Sequence, residues 1–235
     1  MTTETSINKG DGISLNKAAL LAGLGILIMV IVGPFAEFYA YGSLIAWNDP
    51  TATVQNITEH KTLFLIGIFS YLLMFSCDIL VAWALFFFLK PVNKSISMLT
   101  GWLRLVYGVL SIIALTNVFR ILKLINPEGY LATLGQQELN HQVMESIYAY
   151  STGSNVAFLF FSTHLGLLGY LVFKSGFVPK VFGILLIISG AGYLVSFFLA
   201  PFLFPDFNSD ILMVTFFGEI IFMIWLLVKG TRIKT

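Results

Sequence analysis

The stretch YLLMFSCDILVAWALFFFLK, residues 71–90, decides the fold, because Asp78 is the only charged residue in it before Lys90. A helix of about 20 apolar residues spans the hydrocarbon core of a bilayer. A carboxylate at the centre of such a helix costs about 2.5 to 3.5 kcal/mol on insertion scales, so it usually has a partner or a function. The stretch therefore predicts a transmembrane helix and raises the question of what Asp78 contacts.

The composition of the whole chain is that of an integral membrane protein. Of its 235 residues, 57% are hydrophobic and 11% are charged, and the mean hydropathy is +0.89. The net charge of +1 argues against a nucleic-acid partner. Cys77 is the single cysteine, which excludes an internal disulfide and a cysteine-rich metal site.

Apolar runs long enough to cross a membrane recur along the sequence and predict an all-α bundle of six transmembrane helices. They lie at 18–40, 62–89, 97–121, 152–173, 181–201 and 211–228. We expect one transmembrane domain at 18–229, flanked by tails at 1–17 and 230–235.

Between spans three and four, Leu139, Val143, Ile147 and Tyr150 recur at helical spacing. This pattern predicts a short amphipathic helix in the connection, either lying at the interface or extending span four.

The basic residues outside the spans indicate the direction of the chain. Six alternating spans place nine of them on one side and only Lys61 and Lys123 on the other. The nine are Lys9, Lys17, Lys90, Lys94, Lys174, Lys180, Lys229, Arg232 and Lys234. The positive-inside rule therefore predicts a multi-pass protein of the cell membrane with both termini in the cytoplasm.

Four ionisable residues from four spans fall at similar depth. At a rise of about 1.5 Å per residue, Asp78, Arg104, His164 and Glu219 all lie roughly 12 to 18 Å from the cytoplasmic boundary. We call these four residues the polar layer. Asp78 is expected to face Arg104, and two ionised carboxylates against one guanidinium would leave excess negative charge, which favours a proton on His164 or on one of the acids.

Two further patterns concern helix contacts. Gly183 and Gly190 lie one heptad apart in span five, which predicts a seam of close helix packing. Near the outer interface, Glu37 and Arg120 reach similar heights, and they predict either a salt bridge or two separate snorkelling side chains.

Several short motifs together resemble one known family, the bacterial membrane proteins grouped as domain of unknown function 4386. The motifs are FAEF (35–38), CDIL (77–80), LKPVNK (89–94), WLRLVYG (102–108), HLGLLGYLVFKSG (164–176), KVFGILL (180–186) after Pro179, SGAGYL (189–194), GE (218–219) and WLLVKG (225–230). The resemblance spans about 17–230 and implies a six-span fold without implying an activity. The family's characteristic polar positions fall here on Glu37, Asp78, Arg104, His164 and Glu219.

Three functions remain open at this point. The leading hypothesis is a non-enzymatic membrane protein whose polar layer binds a small amphiphilic or lipid-like ligand, or a proton, for transport or sensing. The alternatives are an intramembrane enzyme acting on lipid by acid-base chemistry and a structural or partner subunit held together by the ion pairs. We expect no cofactor and no metal, because Arg104 would repel a cation from His164 and the two acids. The expected partners are the lipid bilayer and a small amphiphile, and the pattern does not indicate an oligomeric state.

Overall fold

The computed structural model describes residues 13–204 and 206–233 and is helical, with no strand in those ranges. The α-helices are α1 Leu15–Pro34, α2 Pro50–Glu59, α3 Lys61–Leu89, α4 Lys94–Leu124, α5 Gln136–Lys174, α6 Lys180–Tyr193, α7 Ala200–Leu203 and α8 Phe217–Val228. Two π-helices follow α1 and α6, at Phe35–Tyr41 and Leu194–Leu199. Short 3₁₀ segments lie at Gly42–Leu44, Gly129–Thr133, Asp210–Phe216 and Gly230–Arg232.

Within the described residues, six helical segments are long and apolar enough to cross a membrane, which confirms the six predicted spans. They are Leu15–Leu44, Lys61–Leu89, Lys94–Leu124, Gln136–Lys174, Lys180–Leu203 and Leu212–Arg232. Each segment extends past the predicted apolar run at one or both ends.

Local sequence explains where several helices begin. Ser14 caps α1 by accepting a hydrogen bond from the Lys17 N–H at 3.4 Å. Asn93 caps α4 by accepting from the Ile96 N–H at 3.0 Å. Each side-chain oxygen satisfies a backbone donor that has no partner within its helix.

The predicted amphipathic helix is not a separate element. Residues 136–150 form the first part of the 39-residue helix α5, so they extend span four. Its apolar stripe, Leu139, Val143, Ile147 and Tyr150, is buried and runs on into the transmembrane part without a proline to interrupt it.

A short helix that the sequence analysis missed lies in the first connection. Asp49 caps α2 and Pro50 opens it, which is the usual composition of a helix start. Thr53 in this helix is fully buried and exchanges hydrogen bonds with the backbone of Ala46. Asn140 of α5 donates to Thr51 at 3.2 Å, which fastens α2 to the extended end of span four.

Each span packs against its sequence neighbour, and span six closes the bundle on span one. Each helix contacts the next in the order α1, α3, α4, α5, α6 and α8, and α8 also contacts α1. The predicted glycine seam is present between spans four and five, where Gly183 lies against the Gly169 carbonyl oxygen and Gly190 against that of Ser162.

The two ends of the bundle can be named from their contacts. At the end called here the terminal face, Gly230 packs on Ala19, and Phe88 meets Phe177 at a ring-centroid distance of 5.4 Å. At the opposite end, the loop face, Trp47 meets Tyr148 at 5.8 Å. Lys9 and Lys234, which contributed to the predicted orientation, lie outside the described residues.

Cysteine labelling tests the orientation of these faces in the cell. In a Cys77→Ala background, cysteines at Ser95 and Lys180 on the terminal face should react with a membrane-impermeant maleimide only after cells are opened. Cysteines at Glu59 and Asp206, both exposed at the loop face, should react in intact cells. The opposite labelling pattern would contradict the cytoplasmic assignment of the termini.

Candidate functional site

The structure brings the four side chains of the polar layer into one buried cluster with Arg104 at its centre. The Arg104 Nε donates to Asp78 Oδ1 at 2.7 Å, and Nη1 donates to Glu219 Oε1 at 3.2 Å. Nη1 also lies 3.2 Å from His164 Nε2. Helices α3, α4, α5 and α8 therefore meet at one guanidinium.

Span one and an aromatic ring complete the surroundings of Arg104. Its Nη2 lies 3.6 Å from the sulfur of Met29 on α1, and its guanidinium carbon lies 5.3 Å from the centre of the Phe161 ring. Arg104 and Asp78 are both completely buried. A guanidinium in such a place is stabilised only while its donors stay paired.

Small residues on α4 allow this helix to pack closely against α3. Ser97, Gly101, Gly108 and Ser111 share the Arg104 face of the helix, as its spacing predicts. The Ser97 hydroxyl donates to the Phe86 carbonyl of α3 at 2.9 Å, and a Cβ at Gly108 would lie 3.7 Å from that of Asp78. The close contact of α3 and α4 sets the short bond between Asp78 and Arg104.

The hydrogen bonds of His164 indicate its protonation state. A guanidinium can only donate, so Nε2 of His164 accepts from Arg104. Its Nδ1 lies 2.9 Å from the Thr100 carbonyl oxygen, which can only accept. These two contacts fit a neutral imidazole with its proton on Nδ1. On this assignment an additional proton in the layer is carried by Asp78 or Glu219 and not by His164.

The two carboxylates differ in their surroundings. Asp78 Oδ2 is buried and has no hydrogen-bond partner, although Oδ1 is bound by Arg104. The Glu219 side chain is 12% exposed and lies in the first turn of α8, just after the 3₁₀ segment Asp210–Phe216. Asp78 thus has a buried oxygen without a hydrogen-bond partner, whereas the Glu219 side chain is partly exposed.

Two tyrosines lie beside the layer, the buried Tyr107 and the half-buried Tyr193. Tyr107 of α4 lies within electrostatic reach of Asp78, and Tyr193 of α6 within reach of Glu219. Among the described residues, no three His, Cys, Asp or Glu side chains are grouped so that they could hold a metal ion. The positively charged guanidinium of Arg104 lies between the carboxylates of Asp78 and Glu219, where a metal ion bound by both acids would have to lie.

Glu37 and Arg120 do not form the outer salt bridge that was one of the two predicted arrangements. Glu37 accepts a hydrogen bond from the Tyr71 hydroxyl, whereas Arg120 Nη2 donates to Gln142 at 3.1 Å. Arg120 lies on α4, and Gln142 lies on the part of α5 that extends span four.

The sequence analysis did not identify several residues that contact the polar layer or Glu37. The polar layer is contacted by the backbone carbonyl of Thr100, the sulfur of Met29 and the ring of Phe161. None of these groups is charged, so nothing in the sequence distinguishes these residues from others in the spans. Tyr71 lies seven residues before Asp78 on the same face of α3, so its spacing was visible, but its hydrogen bond to Glu37 depends on span one.

Comparisons with known proteins agree with the motifs. The family model described as "Domain of unknown function (DUF4386)" matches residues 21–230. A protein of Archaeoglobus fulgidus, described as an uncharacterized protein, is 33% identical over 170 residues, covering 72% of this chain and 85% of its own length. No solved structure matches the chain.

Proposed function

The chain belongs to the family described as domain of unknown function 4386, and from this premise and the geometry of the site we propose that the polar layer binds and releases one proton. The chain would then act as a proton-linked membrane protein, in transport or in sensing. The observation that carries the proposal is a buried site with two acids and one paired cation.

Charge balance supports one bound proton. Arg104 contributes one positive charge, His164 is neutral by its hydrogen bonds, and Asp78 and Glu219 together contribute two negative charges when ionised. An uncompensated charge in a low-dielectric interior is costly. A single proton shared by the two acids makes the layer neutral.

The geometry allows this proton to be exchanged. Asp78 Oδ2 is free to accept it while Oδ1 keeps its 2.7 Å bond to Arg104. Glu219, at 3.2 Å from Arg104 and partly exposed, can lose or gain its ion pair with less rearrangement. Protonation of Glu219 would loosen α8 from α4, which couples proton binding to the position of span six.

Infrared spectroscopy of the purified protein in nanodiscs tests the proton site. The native chain should show the C=O stretch of one protonated carboxyl group that appears and disappears with pH, and the double variant Asp78→Asn/Glu219→Gln should lack it. Glu138→Gln, which removes an exposed acid from α5, is the matched control and should leave the band unchanged. A native chain without a titrating buried carboxyl band would rule out the proposal and favour a purely structural ion-pair layer.

A second candidate function rests on the partial exposure of Glu219. A cationic headgroup of an amphiphile could pair with this carboxylate and take the place of the proton. Binding of dodecyltrimethylammonium that is lost in Glu219→Gln, in a protein without the titrating carboxyl band, would favour this function instead.

A further inference from the structure

A second cluster of buried polar groups lies toward the loop face, beyond the polar layer. The rings of Tyr41, Tyr71 and Tyr150, here called the tyrosine cluster, lie 5.5 to 6.1 Å apart between centroids. All three are buried, at 2 to 7% exposure. Three tyrosine rings from spans one, two and four thus meet inside the bundle.

Glu37 connects this cluster to the surface. Its residue is exposed on the π-helix Phe35–Tyr41, and its carboxylate accepts a hydrogen bond from the buried Tyr71 hydroxyl. At the end of the π-helix the Gly42 N–H donates to the Glu37 carbonyl, and a Cβ at Gly42 would collide with that oxygen. The wide turn that places Glu37 beside Tyr71 therefore requires glycine at this position.

Aromatic side chains continue from the cluster to the polar layer. Tyr71 stacks on Phe75 at 6.2 Å, and Phe75 meets Tyr107 at 6.3 Å. Tyr107 is buried and lies within electrostatic reach of both Tyr150 and Asp78. Since Tyr71 and Asp78 are seven residues apart on α3, the two clusters are separated by roughly 10 Å along the helix axis.

Buried polar atoms without partners mark the same region. Two of them are the Tyr41 hydroxyl and Asp78 Oδ2. Buried polar atoms are normally satisfied by protein or by ordered water, and each such water makes two to four hydrogen bonds. The Tyr150 hydroxyl interacts with the hydroxyls of Tyr71 and Ser154, so the chain of polar groups continues from Tyr71 to Tyr150.

We propose that Glu37 and the hydroxyls of Tyr71, Tyr150 and Tyr107 form a pathway along which protons pass between the loop face and Asp78. In each step an oxygen accepts a proton on a lone pair and releases its own proton to the next oxygen, so one O–H bond forms as another breaks. One proton enters at Glu37 and one arrives at Asp78, and no electrons are exchanged. The pathway rests on the proposed proton site and supplies its access to the loop face.

Stopped-flow infrared measurement of carboxyl protonation after a pH jump in nanodiscs tests the pathway. Tyr71→Phe and Glu37→Gln should each slow protonation of the layer by about tenfold or more, because each removes a group that relays the proton. Both should leave the final extent of protonation at one carboxyl group, since Asp78 and Glu219 are unchanged. Tyr39→Phe alters an exposed tyrosine of the same π-helix and should leave the rate unchanged.

The outcomes separate this inference from the proposed function. Native rates in both Tyr71→Phe and Glu37→Gln, with one carboxyl still protonated, would overturn the pathway and leave the proton site intact. A native chain in which no buried carboxyl is protonated at any pH would overturn both. Because Tyr71→Phe keeps the ring and its contacts, and Glu37 lies at the exposed surface, both variants are expected to fold.

Discussion

Arg104→Ala is expected to lower the free energy of unfolding by about 3 to 5 kcal/mol, the usual cost of removing one partner from a buried ion pair. The residue is completely buried and donates to Asp78 and Glu219, so alanine leaves two acids without their cation. It also removes the contacts to His164 and Met29. Unfolding by denaturant in detergent micelles measures the loss.

Two comparisons make this prediction specific. Arg120→Ala removes an exposed arginine from the same helix and should cost about 0 to 1 kcal/mol. Adding Asp78→Asn to Arg104→Ala should recover more stability than adding Glu219→Gln, because Asp78 is fully buried and Glu219 is partly exposed. Greater recovery with Glu219→Gln would mean that Asp78 is not the principal partner.

Gly169→Ala is expected to destabilise the bundle by about 1 to 3 kcal/mol through overpacking of α5 against α6. A Cβ at Gly169 would lie 2.6 Å from the Gly183 carbonyl oxygen and 3.0 Å from the Ile187 backbone nitrogen. Both neighbours are backbone atoms, which cannot move aside as the end of a flexible side chain can. The two helices would have to separate to admit the methyl group.

Gly166→Ala on the same helix provides the matched control. A Cβ at Gly166 would have nothing within 4 Å, so the methyl group fits without displacing a neighbour. Alanine is a better helix former than glycine by about 0.8 to 1.0 kcal/mol, and the substitution should be neutral or stabilising. Equal effects of the two substitutions would show that the α5 and α6 backbones do not pack this closely.

The agreement between the depth estimate and the site has a simple physical origin. The helical rise is constant, so the distance of Asp78, Arg104, His164 and Glu219 from their helix ends follows from residue counts alone. The same estimate placed Glu37 and Arg120 at a common height, yet their side chains have different partners. Equal depth brings two residues together only when their helices are neighbours and their faces point toward each other.

The amphipathic segment shows a second kind of limit. Its stripe, Leu139, Val143, Ile147 and Tyr150, predicted helix and a buried face, and both are present. Whether such a helix lies on the membrane or continues a span depends on what covers its apolar face. Here that surface is the bundle itself, since Tyr150 packs on Tyr41 and Tyr71.

The sequence by itself determined the all-helical fold with six spans, and it predicted that the four residues of the polar layer lie at similar heights along their helices. It could do so because a backbone in lipid must satisfy its own hydrogen bonds, so apolar runs of sufficient length become helices of known rise. Only the tertiary structure decided that α8 closes on α1, that Arg104 bridges both acids, and that Glu37 meets Tyr71. These outcomes depend on contacts between residues distant in the chain, where small residues such as Gly169 and Gly183 determine which helix faces can approach.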